Sequence, residues 1–100
     1  MVTLINCFDV PEGRDDAFFA LWREVNQYMQ GQPGYRSHRL HRAHSSEAPF
    51  RFINVANWES REHLEAAHDE QFRKLVSKPE WREFPSRPQL FEIVHEQVAP

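Results

Sequence analysis

The most regular pattern of hydrophobic and polar residues runs through residues 50–60, FRFINVANWES. Side chains alternate between the two faces of a β-strand, so every second residue of this stretch shares a face. One face carries Phe52, Asn54, Ala56 and Trp58. A helix is predicted to follow over residues 61–77, with Ser60 as its N-cap and with Leu64 and Phe72 on its apolar face.

The rest of the chain alternates between strand and helix patterns. Strands are predicted over residues 2–10, 35–44 and 89–98, and a helix from residue 14 or 15 to about residue 30. Residues 78–84 predict a short extra helical turn. The order is therefore βαββαβ, which predicts a ferredoxin-like α+β fold with a four-stranded antiparallel sheet and two helices on one face. We expect a single domain over residues 1–100.

The predicted layers leave one face of the sheet without helices. That face still carries apolar side chains, such as Ile5, Ile53 and Val55, which are unfavourable in water. We therefore expect a homodimer in which two sheets pack face to face.

The composition sets limits on partners and location. Lys and Arg number 12 and Asp and Glu 15, and the basic residues are scattered, so nucleic acid and anionic membranes are poor partners. No apolar run approaches the length of a membrane span, and no signal peptide is recognisable. Cys7 is the only cysteine, so no internal disulfide can form, which predicts a reducing, cytoplasmic environment.

The histidines do not form a recognisable catalytic or metal motif. His38, His41 and His44 recur at every third position of a predicted strand, so His41 faces away from the other two. His38 and His44 share a face but lie about 20 Å apart at the strand rise, too far to bind one ion. Paired cysteines, Glu-x-x-His and glycine-rich phosphate loops are absent. We expect no metal and no nucleotide cofactor, and we interpret the histidine run as a solvated strand face or an interface.

Asn54 is the unusual residue of the most apolar strand. A buried amide without a partner costs about 1–3 kcal/mol, so Asn54 must be hydrogen-bonded or face a ligand. It lies about 13 Å from Trp58 on the same wall, a spacing that suits a pocket for a flat aromatic molecule. The alternative is that Asn54 fastens a neighbouring loop and Trp58 is ordinary core. His68 presents a similar choice between a cavity and a solvated helix surface, because Asp69 and Glu70 follow it.

These residues lie in segments that resemble the antibiotic-biosynthesis monooxygenase family of dimeric α+β barrel proteins. The similar segments cover nearly the whole chain: LINCFDVPEGR, QPGYRSHRLHR, FINVANWES, the helix with His68 and Phe72, and LFEIVHE. The resemblance implies oxygenases that need no flavin, metal or nucleotide and that oxidise anthrones or hydroquinones to quinones with O₂. In the anthrone oxygenases an Asn-x-x-x-Trp strand lines the substrate pocket, and Asn54 and Trp58 match that spacing.

The resemblance and the residue chemistry together suggest roles for a small set of side chains. The amide of Asn54 or Asn6 would stabilise a developing oxyanion, and Trp58 would stack on the ring system. His68 would accept or return a proton. Water would be excluded by Phe8, Phe52 and Leu64. One family member also uses a tyrosine six residues after the tryptophan, and Leu64 occupies that position here.

Two other functions stay open. The missing tyrosine favours a non-catalytic homodimer that binds a small aromatic ligand or has a structural role, whereas the Asn54–Trp58 pair favours the oxygenase. Heme degradation is a third hypothesis, because Asn6 matches the heme-degrading members. Against it, Ala67 and residues 75–77 stand where those enzymes need a tryptophan and a proximal histidine.

Overall fold

Four antiparallel strands form one sheet with helices packed against it in this computed structural model, which describes all 100 residues. In chain order the elements are β1 (Val2–Phe8), α1 (Asp15–Met29), β2 (Tyr35–Arg42), β3 (Phe52–Trp58), α2 (Arg61–Ala67), α3 (Glu70–Val76), a 3₁₀ helix (Pro79–Glu83) and β4 (Ser86–Phe91). The strand order β2-β3-β1-β4 is that of the ferredoxin-like fold. The predicted α+β fold is therefore confirmed.

β3 follows the alternation that its sequence predicts. Its helix-facing residues Phe52, Asn54, Ala56 and Trp58 are all buried, and the residues between them are half-buried. The antiparallel register sets Asn6 of β1 directly opposite Asn54, and Pro88 of β4 opposite Asn6. Opposed residues of paired strands project from the same face, so two amides lie side by side near the centre of the sheet.

Two groups of buried side chains fill the space between the sheet and the helices. The mixed cluster consists of Val25, Met29, Ala56, Trp58, Leu64 and Ala67. The aromatic cluster consists of Phe8, Phe18, Trp22, Phe52 and Phe84. Phe18 is fully buried and stacks on Phe52 with 4.6 Å between the ring centroids. The two clusters occupy different ends of β3, because Phe52 begins the strand and Trp58 ends it.

The helix predicted over residues 61–77 is broken into α2 and α3 at His68 and Asp69. His68 leaves the helical conformation, with φ of −79° and ψ of 55°. The carboxylate of Asp69 accepts a hydrogen bond from the backbone N–H of Phe72 at 2.9 Å and so starts a new helix. The same carboxylate accepts a hydrogen bond from the hydroxyl of Tyr28 on α1. The break is thus fixed by a cap and by a contact with the neighbouring helix.

β4 begins and ends earlier than predicted, at Ser86–Phe91 instead of residues 89–98. Pro88 is accommodated because β4 is an edge strand that pairs only with β1, and an edge strand tolerates a residue without a backbone N–H. Residues 92–100 are exposed and make no strand pairing. β1 and β2 also end two residues before their predicted ends, whereas α1 and the short turn at Pro79–Glu83 form as predicted.

The face of the sheet opposite the helices carries a mixture of apolar and polar side chains. Ile5, Ile53 and Val55 are only half-buried there. Thr3 donates a hydrogen bond of 2.8 Å to the amide oxygen of Asn57 on the same face. We call this surface the open face. No helix in the structure combines the length and the hydrophobicity that crossing a membrane requires.

Candidate active site

A cavity of about 410 Å³ lies between the sheet and the helices. Small-molecule sites commonly enclose roughly 300–1,000 Å³, so this space is large enough for a ligand of a few fused rings. Of the 19 residues that line it, 12 are hydrophobic, and none is Asp, Glu, Lys or Arg. The wall therefore suits a mainly apolar and uncharged molecule.

Most of the residues singled out in the sequence reach this cavity. Its wall includes Asn6, Phe8, Asn54, Trp58 and His68. The other two lie in the core: Phe52 packs in the aromatic cluster and Leu64 in the mixed cluster. Both side chains pack against other core residues and do not reach the cavity.

Asn6 and Asn54 form the polar part of the cavity floor. Each side-chain amide oxygen is buried and has no hydrogen-bond partner in the protein. The amide oxygen of Asn54 therefore does not fasten a loop. An unpaired buried polar group costs about 1–3 kcal/mol, a cost that a bound ligand with hydrogen-bond donors would remove.

Two indoles complete the set of unpaired groups. The Nε1 atoms of Trp22 and Trp81 are also buried without a partner, and both residues line the cavity. Trp22 lies in the helix predicted to end near residue 30 and Trp81 in the turn predicted over residues 78–84, and the sequence predicts no role for either. The available signal was chemical, since a buried indole N–H usually finds an acceptor. The residues of the cavity wall thus include two with an unpaired buried donor and two with an unpaired buried acceptor.

His68 lies at the break between α2 and α3 and borders the cavity. Its ring stacks on Phe72, with 4.5 Å between the centroids and an interplanar angle of 22°. Burial lowers the pKa of His68, and the negative charges of Asp69 and Glu65 partly oppose this effect. The imidazole is therefore neutral at neutral pH and available as a proton acceptor.

Tyr35 and His38 form an aromatic contact on β2, part of which the sequence predicted to be a solvated strand face or an interface. Tyr35 lines the cavity, and its ring meets Trp58 edge-on at 5.6 Å. Its hydroxyl lies 2.5 Å from Nδ1 of His38, whose ring packs edge-on against Trp22 at 5.2 Å. The interpretation as a solvated face is wrong for His38, because this residue of β2 projects from the helix-facing side. His41 is exposed on β2, and His44 is exposed in the loop after it.

The 3₁₀ helix that carries Trp81 is tied to α1 at both of its ends. The guanidinium of Arg14 donates two hydrogen bonds to Glu83, at 2.6 and 2.9 Å. The ammonium of Lys78 donates to Glu24 at 2.6 Å. The two contacts lie on either side of Trp81 in sequence, and Trp81 lines the cavity.

The family model described as antibiotic biosynthesis monooxygenase matches residues 1–84, a stretch that ends just before β4. No curated protein matches the chain in sequence. Among solved structures, a candidate monooxygenase from Shewanella loihica PV-4 is 30% identical, with a TM-score of 0.82 and with 95% of each chain covered.

Two further structures share the fold at lower identity. SnoaB, a cofactor-independent oxygenase from Streptomyces nogalater, is 24% identical with a TM-score of 0.77, covering 99% of this chain and 96% of SnoaB. A mutant of MhuD, solved with two manganese protoporphyrin IX molecules per active site, is 22% identical with a TM-score of 0.74, covering 99% of this chain and 100% of MhuD.

Proposed function

Because the chain belongs to the antibiotic biosynthesis monooxygenase family, we propose that it is a cofactor-independent oxygenase that oxidises a flat polycyclic phenol or quinol to a quinone with O₂. One observation carries the proposal: four residues that line a single, mainly apolar cavity each have a buried polar atom without a hydrogen-bond partner. The likeness to SnoaB, itself a cofactor-independent oxygenase, supports this chemistry.

The pattern of unpaired groups favours a particular kind of substrate. The amide oxygens of Asn6 and Asn54 accept hydrogen bonds from hydroxyl groups, and the indoles of Trp22 and Trp81 donate to carbonyl oxygens. An anthrone or a hydroquinone carries both kinds of group on a planar frame. Trp58 provides an aromatic surface for that frame.

The uncharged wall argues against heme as the substrate. Heme carries two propionate groups, and burying a carboxylate without a cationic partner is strongly unfavourable. The cavity wall contains no Lys or Arg. This chain shares its fold with MhuD, but its wall lacks the charge that would pair with a porphyrin carboxylate.

The reaction needs no group beyond the protein, the substrate and O₂. An ionised anthrone passes one electron to O₂, and the resulting radical and superoxide combine into a carbon-bound peroxide. His68 removes the remaining proton from that carbon as the O–O bond breaks, which leaves a carbonyl group and, after protonation, water. In total a CH₂ group and O₂ give C=O and H₂O, so atoms and electrons balance. Amide N–H groups of Asn6 and Asn54 stabilise the anion in a site from which water is excluded.

Oxygen consumption by metal-free protein with the anthrone dithranol, and with hydroquinones, tests this proposal. We expect turnover above the uncatalysed rate, retained when a chelator is present. Asn54→Ala should reduce kcat roughly 100-fold, the usual effect of losing one oxyanion donor. Asn57→Ala is the matched control, since Asn57 follows on the same strand and its amide faces away from the cavity. Wild-type rates equal to uncatalysed oxidation across this panel would rule out the oxygenase for these substrates.

A non-catalytic ligand-binding protein is the second candidate. Leu64 stands where a family member has a site tyrosine, and it is buried in the mixed cluster instead of reaching the cavity. Tight binding of a hydroxylated anthraquinone without any oxygen consumption would favour this second function.

We also propose a cytoplasmic homodimer that pairs the open faces of two copies. Ile53 and Val55 are half-exposed on that face, and Ile93, Val94 and Val98 of the C-terminal segment are exposed. The free thiol of Cys7 fits a reducing compartment. Sedimentation should show a dimer that Val55→Lys dissociates, and a wild-type monomer at micromolar concentration would contradict the pairing.

A further inference from the structure

Tyr35 and His38 form a polar pair at the edge of the cavity that the proposed function has not yet used. Tyr35 is the one tyrosine on the cavity wall. Its hydroxyl oxygen lies 2.5 Å from Nδ1 of His38. Apart from Tyr35, His68 is the only titratable side chain on that wall.

The direction of this hydrogen bond determines what the pair can do. A phenol that donates its hydrogen to Nδ1 of a neutral histidine keeps its own oxygen lone pairs free. Burial raises the pKa of Tyr35 and lowers the pKa of His38. At neutral pH the tyrosine is therefore a hydroxyl and the histidine is neutral. In the tautomer that carries its hydrogen on Nε2, the histidine accepts the tyrosine hydrogen at Nδ1. In this state the oxygen of Tyr35 can accept a proton while Nδ1 of His38 accepts the proton that Tyr35 releases.

We propose that Tyr35 and His38 form a proton relay that ionises the phenolic or enolic hydroxyl of the substrate before it reacts with O₂. The inference rests on the proposed oxygenase function and identifies the group that generates the anion. Tyr35 is the catalytic residue of the relay, because it lines the cavity and exchanges its own proton for that of the substrate. His38 is a positioning residue that orients the tyrosine and stores the proton.

The relay moves two protons and no electrons. The O–H bond of the substrate breaks, and its proton passes to Oη of Tyr35. The O–H bond of Tyr35 breaks at the same time, and that proton passes to Nδ1 of His38. The products are a substrate anion, an unchanged tyrosine hydroxyl and an imidazolium. His38 is half-exposed, so the proton can then exchange with solvent.

Tyr35 would supply the phenol group that the family resemblance leads us to expect at position 64. The position six residues after Trp58 holds Leu64, and that side chain is buried in the mixed cluster. Tyr35 reaches the cavity from β2 instead, and its ring lies edge-on to Trp58. The hydroxyl group of Tyr35 on β2 would thus take the place of the absent tyrosine hydroxyl near Trp58.

Kinetics of Tyr35→Phe and His38→Gln with dithranol test the relay. Each variant should lower kcat roughly 100-fold at neutral pH, the usual contribution of a general base, with KM changed by no more than about twofold. At high pH the substrate arrives already ionised, so kcat of Tyr35→Phe should approach that of the wild type. His44→Gln is the matched control, because His44 is exposed in the loop after β2, and it should retain the wild-type profile. An unchanged kcat, or an equal loss at every pH, would overturn the relay.

A binding measurement decides the question without turnover. Alizarin is a dihydroxyanthraquinone whose visible absorption changes when a hydroxyl group ionises. The apparent pKa of protein-bound alizarin should be lower in the wild type than in Tyr35→Phe by about one unit, a tenfold change in the ionisation constant. If the wild type fails to oxidise any substrate but shows this difference, the oxygenase proposal fails and the relay stands. The same bound pKa in both proteins, or no binding of alizarin, would refute the relay.

Discussion

The aromatic cluster and the cavity are neighbours that share three residues, yet one is filled and the other is hollow. Phe8, Trp22 and Phe84 belong to both. In the cluster, Phe18 meets Phe52 at 4.6 Å and Phe8 at 4.9 Å and leaves no space between the rings. Two residues further along β3, Asn54 replaces the next hydrophobic side chain, and the space above it stays open. One polar position in an alternating strand separates the packed region from the site.

The largest effect on the free energy of unfolding is expected from removing a side chain of the aromatic cluster. Phe18→Ala removes a ring that is fully buried, and such truncations cost about 3–5 kcal/mol. Urea unfolding should show this loss of stability. Phe19→Ala is the control on the same helix, since Phe19 is 43% exposed and should cost about 0.5 kcal/mol or less. Similar losses for both variants would contradict the distinction between the two positions.

The opposite change places a hydrophobic side chain in the cavity. Asn54→Leu replaces an amide whose oxygen is unpaired, so it should raise the free energy of unfolding by about 1–3 kcal/mol while abolishing turnover. Asn57→Leu makes the same replacement on the other face of β3. There the amide bonds to Thr3 and Ser37, so the variant should be destabilised. Equal signs for the two variants in urea unfolding would show that Asn54 has a partner in solution.

Acidification should weaken the fold through two partly buried histidines, His38 beside Trp22 and His68 on the cavity wall. Burial lowers the pKa values of His38 and His68 in the folded state, so the unfolded chain binds more protons as the pH falls below about 6.5. Stability should therefore be fully present above that pH and decline as the pH drops toward the lowered folded-state values. Urea midpoints across this range measure the decline, and the double variant His38→Gln/His68→Gln should show a shallower slope. An unchanged slope would assign the acid sensitivity to other groups.

The smallest effect concerns the ties between the 3₁₀ helix and α1. Glu83→Gln weakens its contact with Arg14, an exposed pair of the kind that salt screens. Overall stability should change little, whereas tryptophan fluorescence should become more sensitive to quenching by acrylamide, because Trp81 is held less firmly. Wild-type protein at high salt should move in the same direction. No change in quenching under either condition would mean that packing alone holds Trp81.

The sequence predicted elements whose patterns are strictly local. The alternation of β3 and the three-to-four spacing of α1 each place one face against the core, and both elements form as predicted. The break at His68 was hidden because α2 and α3 together maintain a continuous apolar spacing. Two contacts of Asp69 fix the break: its local N-cap to Phe72 and the long-range hydrogen bond that it accepts from Tyr28. β4 was displaced because Pro88 resembles a loop residue unless its strand is known to lie at an edge.

The cavity could be predicted only in part for a related reason. Asn54 was found because an amide breaks an apolar pattern. The unpaired indoles of Trp22 and Trp81 break no pattern, since a tryptophan is expected in any core. A cavity forms where side chains from different elements do not fill the space between them. The spacing of residues along the sequence does not predict where this happens. Tyr35 and His38 were hidden for a different reason. Strict alternation puts residues three apart on opposite faces of a strand, whereas the irregularity between Tyr35 and Ser37 lets these two residues of β2 meet.

The cross-strand pairing of Asn6 with Asn54 joins two distant parts of the sequence. The register makes the two residues immediate neighbours on one floor. Opposed residues of paired strands project from the same face, so either strand presents an amide at the same place. A ligand on that floor therefore meets one polar patch that two separate strands supply.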